Sequence, residues 1–267
     1  MLTFTKMNGA GNDFVLIDNR DRRLSLDREQ IARLCDRHRG IGGDGLLMLE
    51  PAENGADFRM RYFNSDGGEA EMCGNGARCF ARFAQKVSGQ TGDVSFETMA
   101  GVISARFFGE IVQIQMSEPH SLRLNEELNV GDQRQTVHSL NTGVPHAVLQ
   151  VSDLGALEVR GLGSALRFHP HFAPKGTNVN FFQPTGLQSI SIRTYERGVE
   201  DETLACGTGM VASALIFHEL TGAASPVEVQ VRGGETLQIG FEKVDGKYRN
   251  VTLTGPADFT FEGQVEL

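Results

Sequence analysis

The amino-acid sequence predicts an α+β protein built as two pseudo-symmetric halves of mostly antiparallel sheet. Three observations carry that expectation. Short runs of apolar–polar alternation recur along the chain: "FRMRYF" (58–63), "VISARFF" (102–108), "IVQIQM" (111–116), "ISIRTY" (190–195), "VEVQV" (227–231) and "TLQIGF" (236–241). Helical periodicity interrupts them rarely, which argues against a doubly wound parallel sheet. Finally, "RMRYFNSDGGEAEMCGNG" lines up with "SIRTYERGVEDETLACGTG". In both, an alternating strand ends in an aromatic and a polar residue (Asn64, Glu196), and an acidic turn leads to a cysteine among glycines. Further upstream, "GNDFVLID" (11–18) echoes "GTNVNFFQ" (176–183) more faintly.

The first helix is expected over about 27–37, where Ile31, Leu34 and Cys35 of "LDREQIARLCDRH" share one face. Cys35 there reads as a small buried hydrophobe. After the 58–63 strand, a second helix is expected over about 76–88. Asn75 is its favoured N-cap, Cys79, Phe80, Phe83, Ala84 and Val87 recur at helical spacing, and Gly89 can end it. Gly109-Glu110 joins two alternating runs as a hairpin. A proline in "SEPHSL" (117–122) follows a strand, and the pattern then restarts, so the domains are placed at 1–118 and 119–255. Residues 256–267 are free to return to the first domain. In the second half, Thr208 is the expected N-cap of a helix over about 209–220. Its "MVASALIF" is apolar all round and therefore buried, and Gly222 can end it.

A chain of 267 residues can bury a core without a metal or disulfide staple. A net charge of -9 argues against nucleic-acid backbones and anionic membranes as partners. The N-terminus shows no basic segment followed by an apolar one, and no run of about 18 apolar residues occurs, so a cytoplasmic protein is expected. The four cysteines contain no C-x-x-C pair and no zinc-like His/Cys spacing. Neither "NGAGND" nor "GIGGDG" is a dinucleotide fingerprint or opens a clear βαβ unit, so a nucleotide site is only a weak alternative.

With Cys35 and Cys79 read as core, Cys73 and Cys206 are left, each directly before a helix N-terminus. Unpaired N–H groups and the positive end of the helix dipole favour a thiolate there, and the same N–H groups bind a carboxylate. Gly-rich turns before helices are common and a single such cysteine is often inert; the repetition is what favours chemistry. Two thiols in facing halves suit removal of a proton from one side of a carbon and its return from the other. With no metal ligand set and no pyridoxal-phosphate lysine context, the residues point to a cofactor-independent racemase or epimerase. A thiol redox protein and a non-catalytic binding module are the rivals.

"MCGNGARC", "ERGVEDETLACGTG", "KMNGAGNDFVLID", "HRGIGGDGLL" and "YFNSDG", spread in order over nearly the whole chain, resemble diaminopimelate epimerase. The resemblance implies two domains, each a curled sheet around a central helix, with the site in the cleft. It implies a small amino-acid substrate, conversion of LL- to meso-2,6-diaminopimelate for lysine and peptidoglycan precursors, and no cofactor. Cys73 and Cys206 would be the acid/base pair. Asn12, Asn64, Asn178 and Arg197 would hold the substrate, largely its distal end. Gly74, Asn75, Gly207 and Thr208 would cradle the reacting carboxylate, with His146 and Glu196 beside the thiols. Relatives suggest a homodimer. Two positions depart from some members: Gly45 replaces a glutamine, and Val144 replaces an asparagine. These departures leave room for a relative acting on another amino acid, such as histidine or hydroxyproline.

Overall fold

The computed structural model describes residues 1–267, which fall into two compact units: Met1–Gln115 with Gly255–Leu267, and Met116–Thr254. The first unit opens with β1 (Leu2–Gly9) and β2 (Asn12–Asp18), an antiparallel pair. Helix α1 (Arg28–Cys35) then leads to β3 (Gly45–Pro51), parallel to β2. β4 (Phe58–Asn64) returns antiparallel to β3, and the short β5 (Glu69–Ala70) folds back on its end. Helix α2 (Gly74–Ser88) leads to β6 (Val94–Thr98), parallel to β4. β7 (Gly101–Phe108) and β8 (Ile111–Gln115) follow as antiparallel neighbours, with Gly109 at φ 64° in their two-residue turn.

The second unit repeats this order. β9 (His120–Val130), β10 (Gln133–Asn141) and β11 (Pro145–Gln150) run antiparallel, and α3 (Val159–Arg167) leads to β12 (Asn178–Gly186), parallel to β11. β13 (Ser189–Glu196) and β14 (Asp201–Thr203) precede α4 (Gly207–Thr221), which leads to β15 (Val227–Gln230), parallel to β13. β16 (Thr236–Val244) and β17 (Lys247–Pro256) finish the meander. The last strand, β18 (Asp258–Val265), pairs with β1 in the first unit, in the place β9 takes beside β10. Arg78 and Arg82 of α2 secure that return by donating to the carbonyls of Pro256 and Ala257 at 3.3 and 2.6 Å.

Each unit is thus a curled, mostly antiparallel sheet around one helix. α2 packs on β1, β2, β3, β4, β6 and β8; α4 packs on β10, β11, β12, β13, β15 and β16. A shorter helix covers the other face. Val15, Ile17, Leu46 and Met48 meet Ile31, Leu34 and Cys35 of α1, while Ala147, Leu149, Val179 and Phe181 meet Val159 and Leu166 of α3. Strands covered on both faces are apolar along their buried centres, as β2 is over Phe14–Ile17 and β3 over Leu46–Leu49, so they carry no alternation there.

One expectation needs correction. The faint echo of 11–18 in 176–183 matches β2 with β12, whereas the topology matches β2 with β11 and β3 with β12. Both strands lie in the doubly covered centre of their sheets, so the likeness of composition reflects burial and not position. Helix α3 also escapes sequence reading, because Gly161 and Gly163 weaken its propensity. It forms because Glu158 caps it, accepting from Gly161 N at 2.6 Å, and because its apolar face is buried. No helix is long and apolar enough to cross a membrane.

Candidate active site

In each unit a cysteine occupies the cap of the central helix. Cys73 (φ -131°, ψ 121°) caps α2 and Cys206 (φ -127°, ψ 110°) caps α4. This corrects the expectation that Asn75 and Thr208 are the caps. The extended turn of chain ends one residue pair earlier, so the helices begin at Gly74 and Gly207, and Asn75 and Thr208 lie in the first turn. The first intrahelical bonds are Ala77 N to Cys73 O, 2.7 Å, and Met210 N to Cys206 O, 2.9 Å. The N–H groups of the residues between have no carbonyl within the helix and are available to an anion. Gly89 and Gly222 end the helices at φ 70° and 75°, as expected. Cys35 and Cys79 are buried, and burial pushes their thiols up to about 11 and about 12, which keeps them protonated.

In the first unit, Asn75 Nδ2 donates to Asn12 Oδ1 at 2.6 Å, and Asn12 Nδ2 donates to Asp44 Oδ2 at 2.9 Å. Asp44 can only accept, so it fixes which way the Asn12 amide faces, and Asn12 in turn fixes Asn75. The Asn75 Oδ1 acceptor is left buried without a partner. Behind this chain, Arg37 bridges Asp44 and Asp13 at 2.8 and 2.6 Å, and Lys6 lies 2.8 Å from Asp13. Burial alone raises the Asp13 carboxyl, but its bonds to Arg37 and Lys6 prevail and hold it at about 2. Gly9 is forced by close approach: a Cβ there would lie 2.8 Å from Asn75 O and 2.9 Å from Cys79 Sγ. Asn64 stands apart from this chain of amides, exposed at the end of β4 opposite Gly45.

In the second unit, Thr208 Oγ1 lies 3.6 Å from Cys206 Sγ, and the Thr208 carbonyl accepts from Thr142 Oγ1 at 3.0 Å. Asn178 Oδ1 accepts from Arg197 N at 2.8 Å and its Nδ2 donates to Pro145 O at 3.3 Å, which ties the ends of β11, β12 and β13 together. His146 is 1% exposed, and burial, aided by the charge of Arg197, lowers its imidazole to about 3. Burial pushes the Glu196 carboxyl up from its ordinary value. Asn180 Nδ2 meets His146 Nδ1 at 2.9 Å, and its Oδ1 accepts from Thr194 at 3.0 Å. No group of three or more His, Cys, Asp or Glu side chains is arranged to hold a metal ion.

The structure therefore groups Cys73, Gly74, Asn75 and Asn12 in one unit. It groups Cys206, Gly207, Thr208, Asn178, His146, Glu196 and Arg197 in the other. Sequence reading missed Asp44, Thr142, Asn180 and Thr194. A signal existed for Asn180, an amide two residues beyond Asn178 on the same strand face, inside an otherwise apolar run.

The departure at Gly45 has a steric cause. A Cβ there would lie 2.6 Å from Phe63 O and 2.7 Å from the Tyr62 ring, so no larger residue fits this packing. Val144 is half-buried in the loop before β11, and nothing in the structure explains the loss of an asparagine there.

Each unit is a curled sheet around a central helix whose cap is a cysteine. Solved structures of the same fold include a PhzF-family phenazine biosynthesis protein from Bacillus anthracis (TM-score 0.76, 15% identity, 100% of this chain and 99% of that one). A hydroxyproline epimerase from Agrobacterium vitis is similar too (TM-score 0.73, 16% identity, 99% and 92% covered). At those identities the likeness concerns the fold alone. The family model for diaminopimelate epimerase matches residues 4–121 and 138–260, and the chain belongs to that family. It is 44% identical to the diaminopimelate epimerase of Aquifex aeolicus, covering 99% of this chain and 98% of that protein. It is also 44% identical to that of Chlorobaculum tepidum, covering 98% and 100%.

Proposed function

We propose that this chain inverts the α-carbon of LL-2,6-diaminopimelate to give the meso form, with Cys73 and Cys206 as the acid/base pair. The carrying observation is the repeated cap: one cysteine in extended backbone before a helix that opens Gly-Asn in one unit and Gly-Thr in the other. Family membership supplies the substrate, since the relatives carry that name.

In this mechanism one cysteine enters as thiolate and takes the α-proton, becoming a thiol. The other enters as thiol and gives its proton to the opposite face of the carbon, becoming a thiolate. The pair ends with its charge states exchanged, and proton transfer with water or a turnover in the reverse direction restores them. The charge that builds up between the two transfers spreads into the substrate carboxylate, where first-turn N–H groups stabilise it. Gly74, Asn75, Gly207 and Thr208 supply that cradle. The buried Asn75 Oδ1 suits an ammonium donor. Asn12, Asn64, Asn178 and Arg197 hold the distal amino-acid end, the guanidinium as a bidentate partner of its carboxylate.

The test is α-hydrogen exchange in deuterated water across LL-diaminopimelate, histidine, hydroxyproline, glutamate and lysine, without added metal or pyridoxal phosphate. Diaminopimelate should exchange fastest, and Cys73→Ala and Cys206→Ala should each abolish epimerisation. Retained turnover in both variants would remove the two-thiol mechanism. Fastest exchange with histidine or hydroxyproline would replace the substrate.

A further inference from the structure

The two units match strand for strand, but their buried interiors beside the cysteines do not. Strand register sets Phe14, Leu47 and Tyr62 of the first unit against His146, Asn180 and Thr194 of the second. Phe14 and Tyr62 meet edge to face, with ring centroids 6.3 Å apart. Their counterparts form a hydrogen-bonded polar set with at most 2% exposure. Asn180 borders the cysteine: its Oδ1 fills the space a Cβ on Gly209 would need, and Cys206 Sγ lies 3.3 Å from that same point.

The orientation of Asn180 is settled by its neighbours. Its Nδ2 lies 3.3 Å from the carbonyl of Ala147, which can only accept, so this end of the amide is the donor. The same nitrogen reaches His146 Nδ1, which must therefore present a lone pair. The proton of the imidazole then sits on Nε2, and that buried N–H has no partner in the chain. We propose that Asn180 is a positioning residue: it locks His146 as the neutral Nε2–H tautomer, giving the unit of Cys206 a fixed hydrogen-bond donor that Phe14 cannot give the unit of Cys73. Its effect on turnover rests on the epimerase reading above; the tautomer does not.

The experiment is long-range ¹H–¹⁵N spectroscopy of the full chain labelled in its 7 histidines, with the His146 signals assigned by their loss in His146→Gln. Wild type should show Nε2 protonated and Nδ1 bare. Asn180→Asp, nearly isosteric but an acceptor in place of the donor, should move the proton to Nδ1. Asn180→Leu, which copies the first unit's Leu47 and adds no charge, should abolish the single-tautomer signature. Both variants should fall about tenfold or more in kcat, as expected when a preset hydrogen bond is lost. A wild-type Nδ1–H signal, an Nε2–H signal unchanged in both variants, or unchanged kcat once the tautomer has shifted overturns the proposal. A wild-type Nε2–H signal that both variants shift, in a chain that turns over no amino acid, supports the lock and refutes the epimerase reading instead.

Discussion

Gly76 and Gly209 hold the same place in the repeat for different physical reasons. A Cβ on Gly209 would collide with Asn180 Oδ1 and lie 3.3 Å from Cys206 Sγ; on Gly76 its closest contacts would be ordinary ones of 3.5 Å, to Cys73 Cβ and the Phe14 ring. Gly209→Ala should cost about 1–3 kcal/mol, an overpacking cost, and reduce turnover. Gly76→Ala should hold or raise stability, since alanine is the better helix former. Parallel denaturant titrations check both, and equal losses would contradict the packing argument. Arg197 belongs to the same scale. Losing one partner of a buried charge pair costs about 2–5 kcal/mol. Arg197→Met should therefore reduce kcat/KM for diaminopimelate about a hundredfold. An amino acid without a second carboxylate should register the change far less. A uniform loss across both substrates would remove the clamp role.

At the scale of elements, α3 shows packing overriding propensity. Its Gly163 faces Tyr195 so closely that a Cβ would lie 2.5 Å from the tyrosine Cβ. In an isolated helix Gly163→Ala would gain about 1 kcal/mol. In this unit it forces apart α3 and β13, the strand that ends at Glu196. The expected result is net destabilisation of about 1–3 kcal/mol, with loss of activity through displacement of Glu196 and Arg197. A higher melting temperature in the variant would show that α3 can shift without strain. The helices that present the cysteines were readable because their signals are local: apolar spacing and a terminal glycine. Their caps were misassigned by two residues because statistics favour Asn and Thr as caps. The route of the chain between strand and helix, which sequence does not display, decided in favour of cysteine.

At the scale of the whole molecule, stability should depend on acidity through named groups. His146 has a folded value of about 3 against 6.5 in model compounds. Between those values the unfolded chain binds a proton that the folded chain refuses, so stability falls as pH drops through that window. Asp13, held at about 2 against 3.8, adds a second loss at lower pH. Glu196 runs the other way: its raised value favours the folded state at low pH and less as pH rises through it. Comparing wild type with His146→Gln isolates the histidine, because the other groups are common to both. The variant's unfolding midpoint should depend less steeply on pH between about 6.5 and 4. Equal slopes would mean that His146 is not held neutral by the fold.

By itself the sequence determined the α+β class, the repeat of the thiol segments, the three most regular helices and the two cysteines as candidate chemistry. Those features are written in periodicities and spacings of a few residues, where propensity and burial act locally. Which strand of one half answers to which of the other was decided by pairing between segments far apart in sequence. So were the closure of the first sheet by β18 and the doubly covered strands β2 and β3. The same holds for Asp44 behind Asn12 and Asn180 behind His146. A buried amide must find its partner wherever folding brings one, and no local pattern records where that is.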